Sequence, residues 1–161
     1  MSNPAPLPER SVLVVQHLES AGIEPRVRVL PDAARTAVEA ATAIGCDVAA
    51  IANSLVVLAD GMPVLVLTSG GHRADFAVLA ASIGAENVEM APAGIVREAT
   101  GQAIGGVAPV GHPAPIRTYI DEALRDYDEI WTAAGHPHTV MPLTFDTLRA
   151  VTGGEVIAVV H

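Results

Sequence analysis

Lysine is absent from this sequence of 161 residues. Its nine basic residues are all arginine and stand against eighteen acidic residues, for a formal net charge of −9. A phosphate-binding P-loop needs a lysine after its last glycine, so that motif is excluded. The acidic excess also disfavours non-specific binding to nucleic acid or to an anionic membrane. A small local patch of arginines remains compatible with these totals.

Cysteine and aromatic residues are scarce as well. Cys46 is the single cysteine, which excludes an internal disulfide and a zinc site built from several cysteines. Aromatics make up 3% of a chain that is 50% hydrophobic, so we predict a core of Ala, Val, Leu and Ile. No apolar run approaches the roughly 20 residues of a membrane span, and the start MSNPAPLPER lacks a signal-peptide pattern. We expect a cytoplasmic protein with no membrane segment, no cofactor and no metal.

The local patterns predict an α+β fold. SLVVLADGMPVLVLT is a hairpin signal, because two apolar runs flank Asp60-Gly61. Helices are predicted from Ser11 to about 21, over 36–45, 75–83 and 92–100, within the acidic segment 121–129, and over 144–151. Further strands are predicted over 24–30, 116–120, 129–134 and 155–160. The mixture of hairpin and alternating elements favours a single domain over 11–161, with a mixed sheet surrounded by helices, after a flexible lead-in over 1–10.

The segment TGQAIGGVAPVGHP, residues 100–113, offers backbone rather than reactive side chains. Two interpretations are open. It is a tight loop between a helix and a strand, or the N–H groups of Gly105, Gly106 and Val107 converge on a carbonyl oxygen as in an oxyanion hole. It is not a dinucleotide fingerprint, because the spacing G-x-G-x-x-G is missing.

Histidines occur in two further loops, His112 in GHP and both His136 and His138 in AAGHPHTVMP. They are exposed or held by backbone groups, or they serve a pocket as hydrogen-bond partners or proton shuttles. The one-apart spacing of His136 and His138, with no cysteine or paired carboxylate nearby, is weak evidence for a metal site.

A few charged residues have alternative roles. Arg73 in GGHRADF either reaches a phosphate or pairs with Asp75. Asp121 is a candidate N-cap for the acidic segment that follows it. Arg26 and Arg28 alternate along a predicted strand, where they form either a phosphate-facing strip or a solvated face.

The order of these motifs resembles the YbaK/prolyl-tRNA-synthetase-associated domain family of aminoacyl-tRNA deacylases. The resemblance runs from Ser11 to Val160 and is most specific in T-G-x-x-x-G-G-x-x-P, which contains the family's G-x-x-x-P motif as Gly105 to Pro109. It implies an α+β fold with a curled mixed sheet and a pocket at the glycine loop. It also implies hydrolysis of the ester between a small mischarged amino acid and tRNA, with an aminoacyl-tRNA synthetase as a further partner.

The resemblance also implies roles for individual residues. The N–H groups of Gly105, Gly106 and Val107 would polarise the ester carbonyl, and His136 or His138 would orient the attacking water or the amino group. The substrate-binding residues would be Pro109, His138, Arg73 and Asp121.

One position departs from the family pattern I-x-K-S/T-L-V. This sequence reads Ile51-Ala52-Asn53-Ser54-Leu55-Val56, with Asn53 where the family has a lysine. A neutral amide cannot supply a fixed positive charge, and the loss would cost about 2 kcal/mol in a charged hydrogen bond. Asn53 would retain a positioning role, and Arg73 or Arg117 would supply the charge. The alternatives are a non-catalytic module that binds an aminoacyl-adenosine-like ligand or a partner protein, and an unrelated, metal-dependent or other hydrolase.

Overall fold

The computed structural model describes residues 7–34 and 36–160, which form five α-helices and one mixed sheet of eight strands. The helices are α1 (Glu9–Ser20), α2 (Ala37–Ile44), α3 (Phe76–Ile83), α4 (Ala93–Thr100) and α5 (Phe145–Thr152). The strands are β1 (Arg28–Val29), β2 (Ile51–Ala59), β3 (Met62–Ser69), β4 (Val88–Met90), β5 (Thr118–Asp121), β6 (Ile130–Ala133), β7 (Thr139–Leu143) and β8 (Glu155–Ile157). Short 3-10 helices cover Val48–Ala50 and Glu122–Asp126. The predicted α+β fold with a mixed sheet is confirmed.

The sheet is organised around the predicted hairpin of β2 and β3. Asp60 and Gly61 both have positive φ, 50° and 84°, as a tight hairpin turn with right-handed strand twist requires. The strand order is β1-β7-β6-β2-β3-β5-β8, and β4 pairs with the far end of β2. The pairs β2–β6, β3–β5 and β5–β8 are parallel, whereas β1–β7, β2–β3, β2–β4 and β6–β7 are antiparallel.

Helices pack on both faces of this sheet, and successive side chains of β3 point to opposite faces. Leu65 and Leu67 point into a core that also takes residues from α1, α4 and α5, while Val64 and Val66 pack with Leu79 of α3 on the other face. The buried residues are mostly aliphatic, as the composition predicts. Each buried aliphatic side chain of this size stabilises the fold by about 1.5–3 kcal/mol.

The predicted helix ends are largely confirmed by their caps. Thr36 accepts a hydrogen bond from the Glu39 amide at 3.1 Å, and Gly45 ends α2 in the left-handed conformation. Thr144 caps α5 in the same way as Thr36 caps α2. These contacts satisfy backbone groups that a helix terminus leaves unpaired.

The N-terminal predictions need correction. Helix α1 begins at Glu9 rather than at the predicted Ser11, with Pro8 as its N-cap. Ser11 lies inside the helix, where its buried hydroxyl hydrogen-bonds that of Thr139 at 3.0 Å. Of the predicted lead-in, residues 1–6 lie outside the described residues. The strand predicted over 24–30 shrinks to β1, because only these two residues pair with β7.

Three other segments also differ from the sequence prediction. The acidic segment forms a 3-10 helix of five residues rather than an α-helix. Strands β4 and β7 were not predicted. Within the described part of the chain, no helix combines the length and the apolar character needed to cross a membrane.

Candidate active site

A narrow cavity lies between α2 and the sheet, at the place where β2 separates from β6. The two strands pair only through Ile51↔Trp131 and Ala52↔Thr132, and Asn53 is the next residue along β2. Asn53 is exposed and lines this cavity together with Gly105, Ala37 and Trp131. The cavity volume is about 40 Å³, which gives room for about three groups the size of a water molecule. Asn53 and the glycine loop, far apart in sequence, therefore meet in one small site.

The glycine loop approaches the histidine loop too closely for any other residue at Gly106. A Cβ built on Gly106 would lie 2.8 Å from both Cα and the carbonyl carbon of His136, and 2.9 Å from Cδ of Pro137. Gly105 needs glycine for a different reason, since its φ is 91°. Both glycines therefore serve the geometry of this site.

The backbone amides of Gly105, Gly106 and Val107 differ in their hydrogen bonding. The N–H of Gly106 donates to the carbonyl of Ala103 at 2.9 Å. No hydrogen-bond acceptor reaches the amides of Gly105 or Val107 among the described residues. Of the three amides predicted as donors, that of Gly106 is therefore engaged within the loop itself.

The shape of the loop is fixed by side chains that sequence reasoning missed. Gln102 is buried, and its Oε1 accepts from the Ala108 amide at 2.7 Å while its Nε2 donates to the Val110 carbonyl at 3.3 Å. His112 Nε2 donates to the Ala108 carbonyl at 2.9 Å. Burial lowers the pKa of His112, and the nearby His17 lowers it further, although the Ala108 carbonyl acts in the opposite direction. The only sequence feature that could have indicated this role is the position of Gln102, a polar residue directly after the helix-ending Gly101.

The histidine loop is held by its own backbone. His136 Nδ1 accepts from the His138 amide at 3.1 Å, and His138 Nδ1 donates to the Leu30 carbonyl at 3.1 Å. The two rings lie 5.4 Å apart between centroids. Because Nδ1 of His136 is an acceptor, a neutral His136 ring carries its proton on Nε2. His136 is half-buried, and its backbone lies beside Gly106 of the glycine loop.

Asp121 and Arg73 do not line the cavity. Asp121 is 1% exposed, and its carboxylate accepts from the amides of Ser69 and Ala123 and contacts His72 Nε2 at 2.5 Å. These contacts make it an N-cap and an anchor for the end of β3. Arg73 is exposed in the loop after β3.

The remaining predicted residues lie in three different environments. Pro109 is buried within the glycine loop. Arg117 lines a separate, larger groove of about 840 Å³ at the far end of the hairpin, together with Met62. Cys46 is half-buried, and burial raises the pKa of its thiol, which disfavours a thiolate nucleophile. Among the described residues, no group of three His, Cys, Asp or Glu side chains is arranged to hold a metal ion.

The sequence of this chain is similar to part of the sequence of proline–tRNA ligases. The chain is 34% identical over 93 residues to proline–tRNA ligase of Geobacter sulfurreducens, and 28% identical over 122 residues to that of Citrifermentans bemidjiense. These matches cover 58% and 76% of this chain but only 16% and 21% of the ligases. The chain therefore spans about a fifth or less of the length of these relatives.

A solved structure matches over nearly its whole length. It is described as a candidate trans-editing enzyme for prolyl tRNA synthetase, with a TM-score of 0.90 and 38% identity over 97% of this chain and 99% of that chain. The family model for the aminoacyl-tRNA editing domain matches residues 31–151, which include β2, the glycine loop and the histidine loop. This chain belongs to the aminoacyl-tRNA editing domain family.

Proposed function

We propose that this chain hydrolyses the ester that joins a small, wrongly attached amino acid to the terminal ribose of tRNA. The observation that carries the proposal is the shared cavity of Asn53 and Gly105, in a chain that belongs to the editing-domain family. A cavity of about 40 Å³ admits a side chain of few atoms, such as that of alanine, serine or cysteine. The relatives that are proline–tRNA ligases favour tRNA carrying a residue wrongly attached in place of proline, and prolyl-tRNA synthetase as a partner. Such a reaction would take place in the cytoplasm.

The ester carbonyl would be polarised by the amides of Gly105 and Val107. Both lie in a loop whose shape Gln102 and His112 fix before any ligand arrives, so little reorganisation accompanies the reaction. Each well-placed donor of this kind contributes about 2.7–4 kcal/mol to transition-state stabilisation in acyl transfer.

The attacking group would be water. It adds to the ester carbonyl carbon, the bond from that carbon to the ribose oxygen breaks, and the ribose oxygen leaves with a proton. A neighbouring ribose hydroxyl or the amino group of the substrate would assist the proton transfer. His136 would act as a hydrogen-bond donor through Nε2 rather than as a base, because its Nδ1 already accepts from the His138 amide.

Asn53 would position the substrate without a positive charge, as a hydrogen-bond donor and acceptor at the cavity edge. Loss of a neutral hydrogen bond costs about 0.5–1.5 kcal/mol, so we expect Asn53→Ala to lower the rate by about two- to tenfold.

The test is deacylation of a panel of tRNAs mischarged with alanine, serine or cysteine, with wild type beside Asn53→Ala and Asn53→Lys. The proposal expects the wild type to hydrolyse at least one member of the panel faster than buffer alone. A silent wild type that Asn53→Lys activates would instead indicate a binding module that has lost the catalytic charge. Silence of both proteins would overturn the deacylase proposal.

A further inference from the structure

Arg28 belongs to a row of residues that lie opposite one another on neighbouring strands, and this row also lines the cavity. The Cα partner of Arg28 on β7 is Val140, and the partner of Val140 on β6 is Ala133. Residues directly opposite each other on antiparallel strands point to the same face. Val140 and Ala133 both line the cavity, so the row continues from the cavity wall outward to Arg28 at the sheet edge.

Asn53 lies at the other end of this row. The parallel pair Ile51↔Trp131 places these two residues side by side, and Asn53 and Ala133 each follow two positions later on the same face. Two strand spacings separate Arg28 from Ala133, or about 10 Å between Cα atoms, and Asn53 lies beyond Ala133, where β2 and β6 no longer pair. An extended arginine side chain covers about 6 Å from Cα to its guanidinium carbon, so a phosphate between Arg28 and Asn53 lies within reach of Arg28.

The charges at this edge distinguish Arg28 from its neighbour Arg26. Arg26 forms an ion pair at 3.6 Å with Glu129, the residue just before β6. Arg28 is exposed and has no acidic partner within ion-pair distance in the part of the chain that the structure describes.

We infer that Arg28 binds a phosphate group at the 3′ end of the tRNA and supplies, from β1, the positive charge that Asn53 lacks. The inference rests on the proposed function, because it takes the cavity as the position of the aminoacyl ester. A guanidinium suits this task, since its planar fork donates two parallel hydrogen bonds to phosphate oxygens. Arg28 acts as a substrate-binding residue at the sheet edge, while Asn53 and the glycine loop contact the ester.

The test compares Arg28→Ala and Arg28→Lys on two substrates. One is tRNA mischarged with alanine, and the other is 3′-alanyl-adenosine, which carries no phosphate. We expect Arg28→Ala to lower kcat/KM for the mischarged tRNA by about tenfold and Arg28→Lys to recover part of it. Neither variant should change hydrolysis of 3′-alanyl-adenosine. Arg97→Ala, which removes the same charge from α4, is the matched control and should resemble wild type.

Binding of uncharged tRNA separates this inference from the proposed function. The logarithm of the association constant for tRNA decreases with the logarithm of the salt concentration, and the magnitude of this slope should be smaller by about one in Arg28→Ala. If wild type hydrolyses nothing but binds tRNA through Arg28, the deacylase proposal fails and the Arg28 inference stands. If wild type hydrolyses mischarged tRNA and Arg28→Ala matches it in rate and salt slope, the inference is overturned. An equal loss on both substrates would also overturn it, because it would indicate a structural role.

Discussion

Replacement of Gly106 by alanine is the sharpest perturbation of the loop contact. Gly106 does not have positive φ, so the backbone conformation itself accepts alanine. The obstacle is steric: the new Cβ would lie 2.8 Å from two backbone atoms of His136, whereas ordinary contacts begin near 3.4 Å. The difference, 3.4 − 2.8 = 0.6 Å, must come from movement of one loop away from the other.

This movement should reduce both stability and rate. Overpacking of this kind costs about 1–3 kcal/mol, or about 2–12 °C in Tm at roughly 2–4 °C per kcal/mol for a chain of this size. A misplacement of about 1 Å in an active site lowers rates about 100-fold, so for the smaller shift we expect about a tenfold loss in deacylation.

The matched control is Gly94→Ala in α4, where an added Cβ meets nothing within 4 Å. Alanine favours helix over glycine by up to about 1 kcal/mol, so this variant should keep its activity and its Tm should stay level or rise. Thermal denaturation and single-turnover deacylation measure both effects. A Gly106→Ala protein with the Tm and rate of wild type would refute the close packing of the two loops.

Two further predictions concern the side chains that brace the glycine loop. Gln102→Leu leaves the buried Ala108 amide without its acceptor, and we expect it to lower stability by about 1–3 kcal/mol in denaturant unfolding, together with the deacylation rate; an unchanged unfolding midpoint would show that this hydrogen bond is unimportant. Because burial lowers the pKa of His112 below its ordinary 6.5, the associated stability is present above pH 6.5 and is lost as the pH falls through that value toward the lower folded pKa. Wild type should therefore lose more stability than His112→Gln between about pH 7.5 and pH 5 in unfolding titrations, and equal losses would contradict this reasoning.

Local chemistry made much of the fold predictable. The Asp60-Gly61 turn, the Thr36 cap and the glycines that end α2, α3 and α4 each act within a few residues. Strands β4 and β7 were not predicted, because these segments become strands only through pairing with other strands. Strand β7 contains Pro142 and follows the histidine loop, and it is identified as a strand only by its pairing with β6 and β1.

The candidate site was predictable only in part. The family resemblance brought Asn53 and the glycine loop together, and the structure places both Asn53 and Gly105 in one cavity. The occupied amide of Gly106 and the bracing by Gln102 could not be predicted, because both depend on how the loop folds back on itself. The position of Arg28 beside the cavity depends on the pairing of β1 with β7, which no local pattern encodes.

The central claim is that the aminoacyl end of the substrate occupies the small cavity at Asn53 and Gly105. The most direct measurement is an NMR titration of the wild-type chain with an alanyl-adenosine analogue whose ester is replaced by a non-hydrolysable 3′-amide. We predict the largest amide shifts at Asn53, Gly105 and Val107. Shifts centred instead on the large groove beside Met62 and Arg117 would contradict this account of the active site.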